Sequence, residues 1–386
     1  MKPGLLFLFL LVTVALCADA DPRIEARKRL RESEVQRAGI DRALSKEMPE
    51  ALAALPVFGT IDWTVKELPF IGRGPHEGLS GAGMAVVDGK IYLAGGFIPG
   101  GDETEDAGRR TSRWAHVYDP ATDRWTRLPD LPERREYTRA IGSEKAFIIL
   151  GGFVQGRPGL PGADVFSLDV SATEPEWKRL PLMSVPRSHL SVGIIGTHIV
   201  AAGGNRYDIA EKGYSAKTIQ GLVERLDLDA PEKGWQPGAP IPGHPRGWCA
   251  TAVVKERLYL LGGVTWTAEA RLRLTECLSY DPTSDHWTRL ADFPVPLSGW
   301  AADVFDRRYL IAVGGAARHW NDVPFVFDTE TDRWLRIDSP LPPGGLFNDP
   351  GVCIIGDTLY VAGGEGAGGS HFNHFLIGKI RPHHQP

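Results

Sequence analysis

The 386-residue chain is predicted to be all-β, a ring of six four-stranded blades, and three recurring features predict it. A short apolar run ends in two adjacent glycines six times, at Gly95-Gly96, Gly151-Gly152, Gly203-Gly204, Gly262-Gly263, Gly314-Gly315 and Gly363-Gly364. The first glycines stand 49 to 59 residues apart, a period that marks a repeat architecture. After each of the first five pairs comes an aromatic residue or leucine before an acid, then a tryptophan seven or nine residues on: Trp125, Trp177, Trp235, Trp287 and Trp334. Glycine (45) and proline (30) fall between short strand-like runs instead of in one block, as an all-β chain requires.

The first twenty residues read as an export signal to be removed after Ala20. Lys2 precedes a greasy run from Leu5 to Leu16, and Ala18-Asp19-Ala20 fits the small-x-small cleavage rule. The run is short for a membrane span. Leu16 stands where a lipidated Cys17 would want a small residue before it. The mature chain is therefore expected in the periplasm or secreted, free of membrane. Cys249, Cys277 and Cys353 then remain, an odd and scattered set that argues against a disulfide framework.

Residues 21–56 change composition toward Arg, Lys, Glu and Ala. Leu44, Met48, Ala51, Leu52 and Leu55 keep helical spacing, so a helical or partly disordered lead-in is expected, its charges forming a solvated face. The propeller is assigned to residues 57–381 and a tail to 382–386. Each unit runs from a Pro-rich turn through an apolar strand and a polar turn to a second strand closing in the glycine pair, as in KIYLAGG and RLYLLGG. A third strand ends at Tyr118-Asp119, Leu168-Asp169, Leu226-Asp227, Tyr280-Asp281 or Phe327-Asp328, and the tryptophan opens a fourth. Four strands repeated radially make a propeller blade. Trp63, in IDWTVKELP, is a fourth strand with no blade before it, and HFNHFLIGKI is a third strand with none after it. The two are expected to pair and close the ring, removing two open edges.

These glycine, tyrosine and tryptophan positions resemble the kelch family over Ile61 to Ile380. The resemblance implies a kelch-type propeller and leaves function open, since a fold does not fix an activity. Among exported kelch propellers the chain is similar to the bacterial N-acetylneuraminate epimerases, the sialic-acid mutarotases, through LSYDPTSDHWTRLADFP (Leu278–Pro294). The lead-in departs from that group.

Counting back from the first glycine of each pair gives equivalent positions. Sixteen back lie Leu79, Arg135, Arg187, Arg246, Ser298 and Phe347; fourteen back lie Gly81, Tyr137, His189, Trp248, Trp300 and Asp349. Shared strand parity puts both sets on one face of the innermost strands. Arg135, Arg187 and Arg246 would then suit a carboxylate, with Tyr137, Trp248 and Trp300 beside a sugar ring. The alternative is that arginine at this place bonds loop carbonyls. Glu365, directly after the last pair, is the first general-base candidate and His189 the second. Arg206, Tyr207, Trp266, Glu269, Arg318, His319, Trp320, His371 and His374 lie on the loops beyond the pairs.

A mutarotase of an acidic sugar needs only an acid and a base and no cofactor. Metal sites are poorly supported: zinc would want clustered Cys or His at ligand spacing, and only His371 with His374, or His383 with His384 in the tail, come close. A copper oxidase of the galactose-oxidase type shares the propeller, but its ligand set has no assignable counterpart here, and the sialidase boxes are absent. The other class of function is a non-catalytic propeller holding a ligand or protein on its loop face. The formal charge of -5, with no Lys/Arg concentration beyond the first sixty residues, argues against nucleic acid.

Overall fold

A computed structural model describes residues 48–71, 78–98, 111–154, 160–207, 213–316, 321–342, 348–366 and 371–383. The proposed signal, the lead-in as far as residue 47, and Arg318, His319 and Trp320 lie outside them.

Almost every described element is a strand. Alternation of buried and half-buried positions in runs such as Ala250–Val254 is what a half-covered strand needs, and polar two-residue turns such as Asp88-Gly89, both at positive φ, close the hairpins. The first sheet is Gly83–Val87, Lys90–Ala94, Ala115–Asp119 and Arg124–Arg127; the second is Arg139–Gly142, Ala146–Leu150, Val165–Asp169 and Trp177–Leu180. The third is Ser191–Ile195, His198–Ala202, Val223–Asp227 and Gln236–Gly238; the fourth is Ala250–Val254, Arg257–Leu261, Cys277–Asp281 and His286–Leu290. A small ribbon, Val264–Trp266 with Arg271–Arg273, stands beside the fourth.

Six separate blades were expected, and here the structure differs. The remaining eight strands form one continuous sheet. The meander Ser298–Phe305, Tyr309–Ala316, Phe325–Asp328 and Arg333–Ile337 meets the strand Val57–Glu67 in a brief parallel pairing, Val57↔Arg336 and Gly59↔Ile337. Val57–Glu67 then pairs antiparallel with His374–Pro382 along its length, from Gly59↔Pro382 to Glu67↔His374. The join of the two chain ends is therefore present, and the early strand is long enough to fuse two quartets. The first strands of successive quartets touch one another in a closed circle, from Gly83–Val87 round to Gly351–Ile355 and back.

The glycine pairs make this circle tight. A carbonyl from the segment leading into the next quartet's first strand packs against the first glycine, where a Cβ would stand 2.7 Å from Arg135 O at Gly95, 2.5 Å from Arg187 O at Gly151 and 2.7 Å from Leu297 O at Gly262. The second glycine donates its N–H to that same carbonyl: Gly96 to Arg135 (2.7 Å), Gly152 to Arg187 (3.0 Å), Gly204 to Arg246 (2.8 Å), Gly263 to Leu297 (2.9 Å) and Gly364 to Leu79 (2.7 Å). Both glycines also hold positive φ.

On the outside the tryptophans do the corresponding work. Besides burying ring area, Trp177, Trp235, Trp287 and Trp334 donate Nε1–H to Pro129 O, Pro181 O, Ala239 O and Ala291 O, 2.8 to 3.1 Å away in the preceding quartet's exit turn. Apolar clusters fill the spaces between neighbours, as Leu150, Val165, Leu190 and Ile199 do between the second and third sheets. Of the lead-in, the structure shows one helical turn, Glu50–Ala53. Leu52 is fully buried with Phe293, Leu297 and Trp300, and Met48 and Leu55 pack beside it, whereas Ala51 is exposed. Cys249, Cys277 and Cys353 are free and buried, and burial pushes the first two thiols up to about 11 and about 12. Among the described residues no helix is long and apolar enough to cross a membrane.

Candidate binding site at the mouth of the ring

Opposite the second glycine of each pair lies a residue in the left-handed region: Gly81 (φ +62°), Tyr137 (+50°), His189 (+52°), Trp248 (+57°), Gly299 (+78°) and Asp349 (+47°). Backbone bonds link them from quartet to quartet, Trp248 N–H to His189 O (3.0 Å), Gly299 to Trp248 (2.9 Å), Asp349 to Gly299 (2.7 Å) and Gly81 to Asp349 (3.1 Å). For the four that are not glycine this backbone costs on the order of 1–2 kcal/mol each, and at His189, Trp248 and Asp349 the inter-quartet bonds help hold it there. The kink also turns each side chain inward. Tyr137 lies 4.7 Å from His189, and His189 stacks on Trp248 at 3.8 Å, ring planes 20° apart.

The same kink separates the residues that strand parity had put together. Arg135, Arg187 and Arg246 do not share a face with the rings. Each guanidinium is buried against an acid at the start of the third strand of its own quartet. Arg135 Nη2 reaches Asp164 (2.8 Å) and Glu133 (3.0 Å), and Arg246 Nη2 reaches Glu276 Oε2 (2.8 Å). Arg187 pairs with Glu224 and also donates to Gly203 O (2.9 Å); burial lowers its pKa, and Glu224 works against that. Asp164, Glu224 and Glu276 are the sequence signal for this arrangement, an acid entering the third strand wherever the arginine is present.

Trp300 is a correction of register. The hairpin from Phe305 to Tyr309 turns through three residues, Asp306 to Arg308, where the other hairpins joining a first strand to a second turn through two or four. One extra residue shifts the count by one and reverses the face. Gly299 and Leu297 take the places assigned to Trp300 and Ser298. Trp300 is instead buried in the core, its Nε1–H donating to Leu261 O (3.0 Å) and its ring stacked on Trp334 at 5.8 Å.

Glu365 does come to the mouth. It is buried and accepts a hydrogen bond from Tyr137 Oη at 2.8 Å, across the gap left by Gly81. His189 Nδ1 meets Ser188 Oγ at 3.0 Å, and His371 Nδ1 meets Ser80 Oγ at 3.0 Å. Among the described residues no three His, Cys, Asp or Glu side chains gather as a metal would need.

Beyond the buried rings the rim is half-exposed. Tyr214 and Trp266 meet Trp248 at 5.2 and 5.4 Å and each other at 5.4 Å, and Tyr207 packs on Tyr214 at 5.8 Å. The Arg271 guanidinium lies over Trp266, 5.4 Å from the ring centre. Tyr214 was not among the residues singled out in the sequence; its signal is the widest glycine-pair spacing, from Gly203 to Gly262, which leaves a loop large enough to carry two tyrosines. Glu269 sits on the turn of the Val264–Arg273 ribbon, exposed.

The family profile of the Kelch motif matches residues 78–132 and 245–294. The chain is 31% identical over 288 residues to the Kelch-like protein terF of Aspergillus terreus, covering 72% of this chain and 57% of that protein. It is 26% identical over 300 residues to Kelch-like protein 15 of Danio rerio, covering 60% and 47%, and 24% identical over 274 residues to Kelch-like protein 34 of Homo sapiens, covering 68% and 40%. The chain spans about half the length of these curated relatives. With the sheets described above, the fold is an all-β kelch propeller.

Proposed function

We propose that this chain is a non-catalytic kelch propeller that holds a protein partner on the loop face around its mouth. The observation that carries the proposal is the wedge of Tyr214, Trp248 and Trp266, whose rings lie 5.2 to 5.4 Å apart, two of them half-exposed on adjacent loops and seated on a buried aromatic row. Rigid tyrosine, tryptophan and arginine side chains dominate protein interfaces, because they offer large contact area at low entropic cost. The similarity to Kelch-like proteins supports the same reading. The acidic-sugar mutarotase would need the three axial guanidiniums for a substrate carboxylate, and each is held by the protein's own acid. Export belongs to the proposal on the strength of the Leu5–Leu16 run and the Ala18-Asp19-Ala20 site alone.

Two measurements on the full chain test it. A photo-crosslinker at Lys217 should trap a discrete protein partner, and the Tyr214→Ala/Trp266→Ala chain should lose it. Exchange between the anomers of N-acetylneuraminate, followed by NMR, should run at the same rate with and without protein. Accelerated exchange that disappears in Glu365→Gln would replace the binding proposal with the mutarotase.

A further inference from the structure

We infer that the axial channel is a second binding site, one that takes a short-chain monocarboxylate on Arg139 and is entered from the face opposite the mouth. The pairing register isolates this arginine. Around the circle of first strands, the residue opposite the one before each glycine pair is Gly83, Arg139, Ser191, Ala250, Ala301 or Gly351. All but Arg139 are small, so one long side chain extends into space that its counterparts leave open. Arg139 is half-buried, and among the described residues its one hydrogen bond is Nε–H to Leu190 O (2.9 Å), just before the third sheet. There burial lowers its pKa, and the charge of Asp349 in the last quartet works against that. A guanidinium that starts from the second quartet, bonds the third and feels an acid of the last lies near the axis.

The neighbouring polar groups have bonds of their own: Thr251 Oγ1 donates to Ser191 Oγ (2.8 Å), and Asn348 Nδ2 donates to Asp349 Oδ2 (2.7 Å). The two Nη groups of Arg139 therefore await acceptors, and their fork of N–H donors is the arrangement a carboxylate fits bidentately. Asp349 above and half-buried Asp303 below, two residues past Ala301, repel a second negative charge and so limit the ligand to one. Access comes from the far face. Tyr137, His189, Trp248 and Asp349 at the mouth are buried, whereas Val86, Ile194, Val253, Val304 and Ile354, farther along the innermost strands, are half-buried. A carboxylate reaching Arg139 from that side lays its alkyl tail along these valines and isoleucines.

The experiment is calorimetric titration of the full chain at neutral pH and fixed ionic strength with sodium acetate, propanoate and butanoate, and with butanamide and sodium succinate for comparison. The expected result is saturable binding of the monocarboxylates that tightens with chain length, by up to about fourfold per methylene. Butanamide, which lacks the charge, and succinate, which carries a second one, should bind on the order of tenfold more weakly than butanoate. Arg139→Gln can still donate to Leu190 O and should lose butanoate affinity by on the order of tenfold, the worth of a hydrogen bond to a charged group. Arg139→Lys keeps the charge without the fork and should fall between. No saturable binding, butanamide or succinate held as tightly as butanoate, or undiminished affinity in Arg139→Gln overturns the inference. The discrimination among the small molecules decides it on the parent chain alone, should a variant fail to fold. Each of these outcomes leaves the rim proposal standing, since Tyr214 and Trp266 lie on the other face.

Discussion

Replacing Gly95 by alanine tests whether the glycine pairs are needed for approach of the next quartet or only for backbone freedom, because the first sheet supplies its own control. Gly95 and Gly89 lie in one hairpin with nearly the same φ, +72° and +68°. Around a Cβ at Gly89 there is nothing within 4 Å; at Gly95 it meets Arg135 O at 2.7 Å. Both alanines bear the left-handed cost of about 1–2 kcal/mol, reduced by about 0.4–1 kcal/mol through the stiffer unfolded chain. Gly89→Ala should therefore lose about 1 kcal/mol. At Gly95 the carbonyl must also retreat by several tenths of an ångström, which strains the Gly96 N–H to Arg135 O bond, now 2.7 Å. Leaving those buried groups poorly paired adds about 1–3 kcal/mol, so Gly95→Ala should lose about 2–4 kcal/mol. Urea unfolding of the two variants, with the midpoint shift converted at constant slope, reads the difference. Equal losses would refute the claim that the pair exists to let the neighbouring backbone in.

Asp303 lies half-buried between first strands, accepting from Val304 N–H (2.8 Å) and Ile354 N–H (2.6 Å), and desolvation raises its pKa to about 6. Its folded value exceeds the unfolded 3.8, so its contribution is fully present below pH 3.8 and declines as pH rises through 6, by on the order of 3 kcal/mol. The difference between wild-type and Asp303→Asn stability, measured by urea titration from pH 3.5 to 7.5, should follow that slope, and parallel profiles would contradict it. Trp235→Phe removes the donor to Pro181 O and should cost about 1 kcal/mol, read in the same urea assay; no loss would mean the ring alone, not its N–H, matters. Deleting residues 61–68 takes away most of the strand that pairs with His374–Pro382, and far-UV and near-UV circular dichroism should then be lost together; a surviving cooperative transition of the remaining sheets would show that this join does not hold the ring.

The recurring features were readable because each is a local necessity repeated in register. A glycine pair, an aromatic-acid step and a tryptophan fix the strand ends, and so the sheets and the join of Val57–Glu67 to His374–Pro382 could be anticipated. Two properties escaped because they depend on single residues of geometry. The three-residue turn at Asp306 to Arg308 moved Trp300 from the mouth to the core. The left-handed kink at Tyr137, His189 and Trp248 broke the parity that had put the arginines beside the rings. Neither a tyrosine, a histidine nor a tryptophan announces positive φ, since that region is uncommon for bulky side chains, and at His189 and Trp248 bonds to neighbouring quartets help hold it.

Those two geometric facts together carry the proposed preference for adhesion over chemistry at this mouth. Once the kink sends the arginines into the sheets, their buried forks pair with Asp164, Glu224 and Glu276. Removing Arg187 takes the ion pair from buried Glu224, whereas Asp164 keeps Arg179 and Glu276 keeps Arg289, so the largest injury is expected at Arg187 and in stability instead of ligand affinity. The inward rings are in the opposite position: they cost backbone strain, yet Tyr137, His189 and Trp248 form a continuous row whose outer end, Tyr214 and Trp266, remains half-exposed. A structure that keeps strained aromatic residues in line from its axis to an accessible rim has rigidified a surface, and rigid aromatic surface lowers the entropic cost of holding a partner.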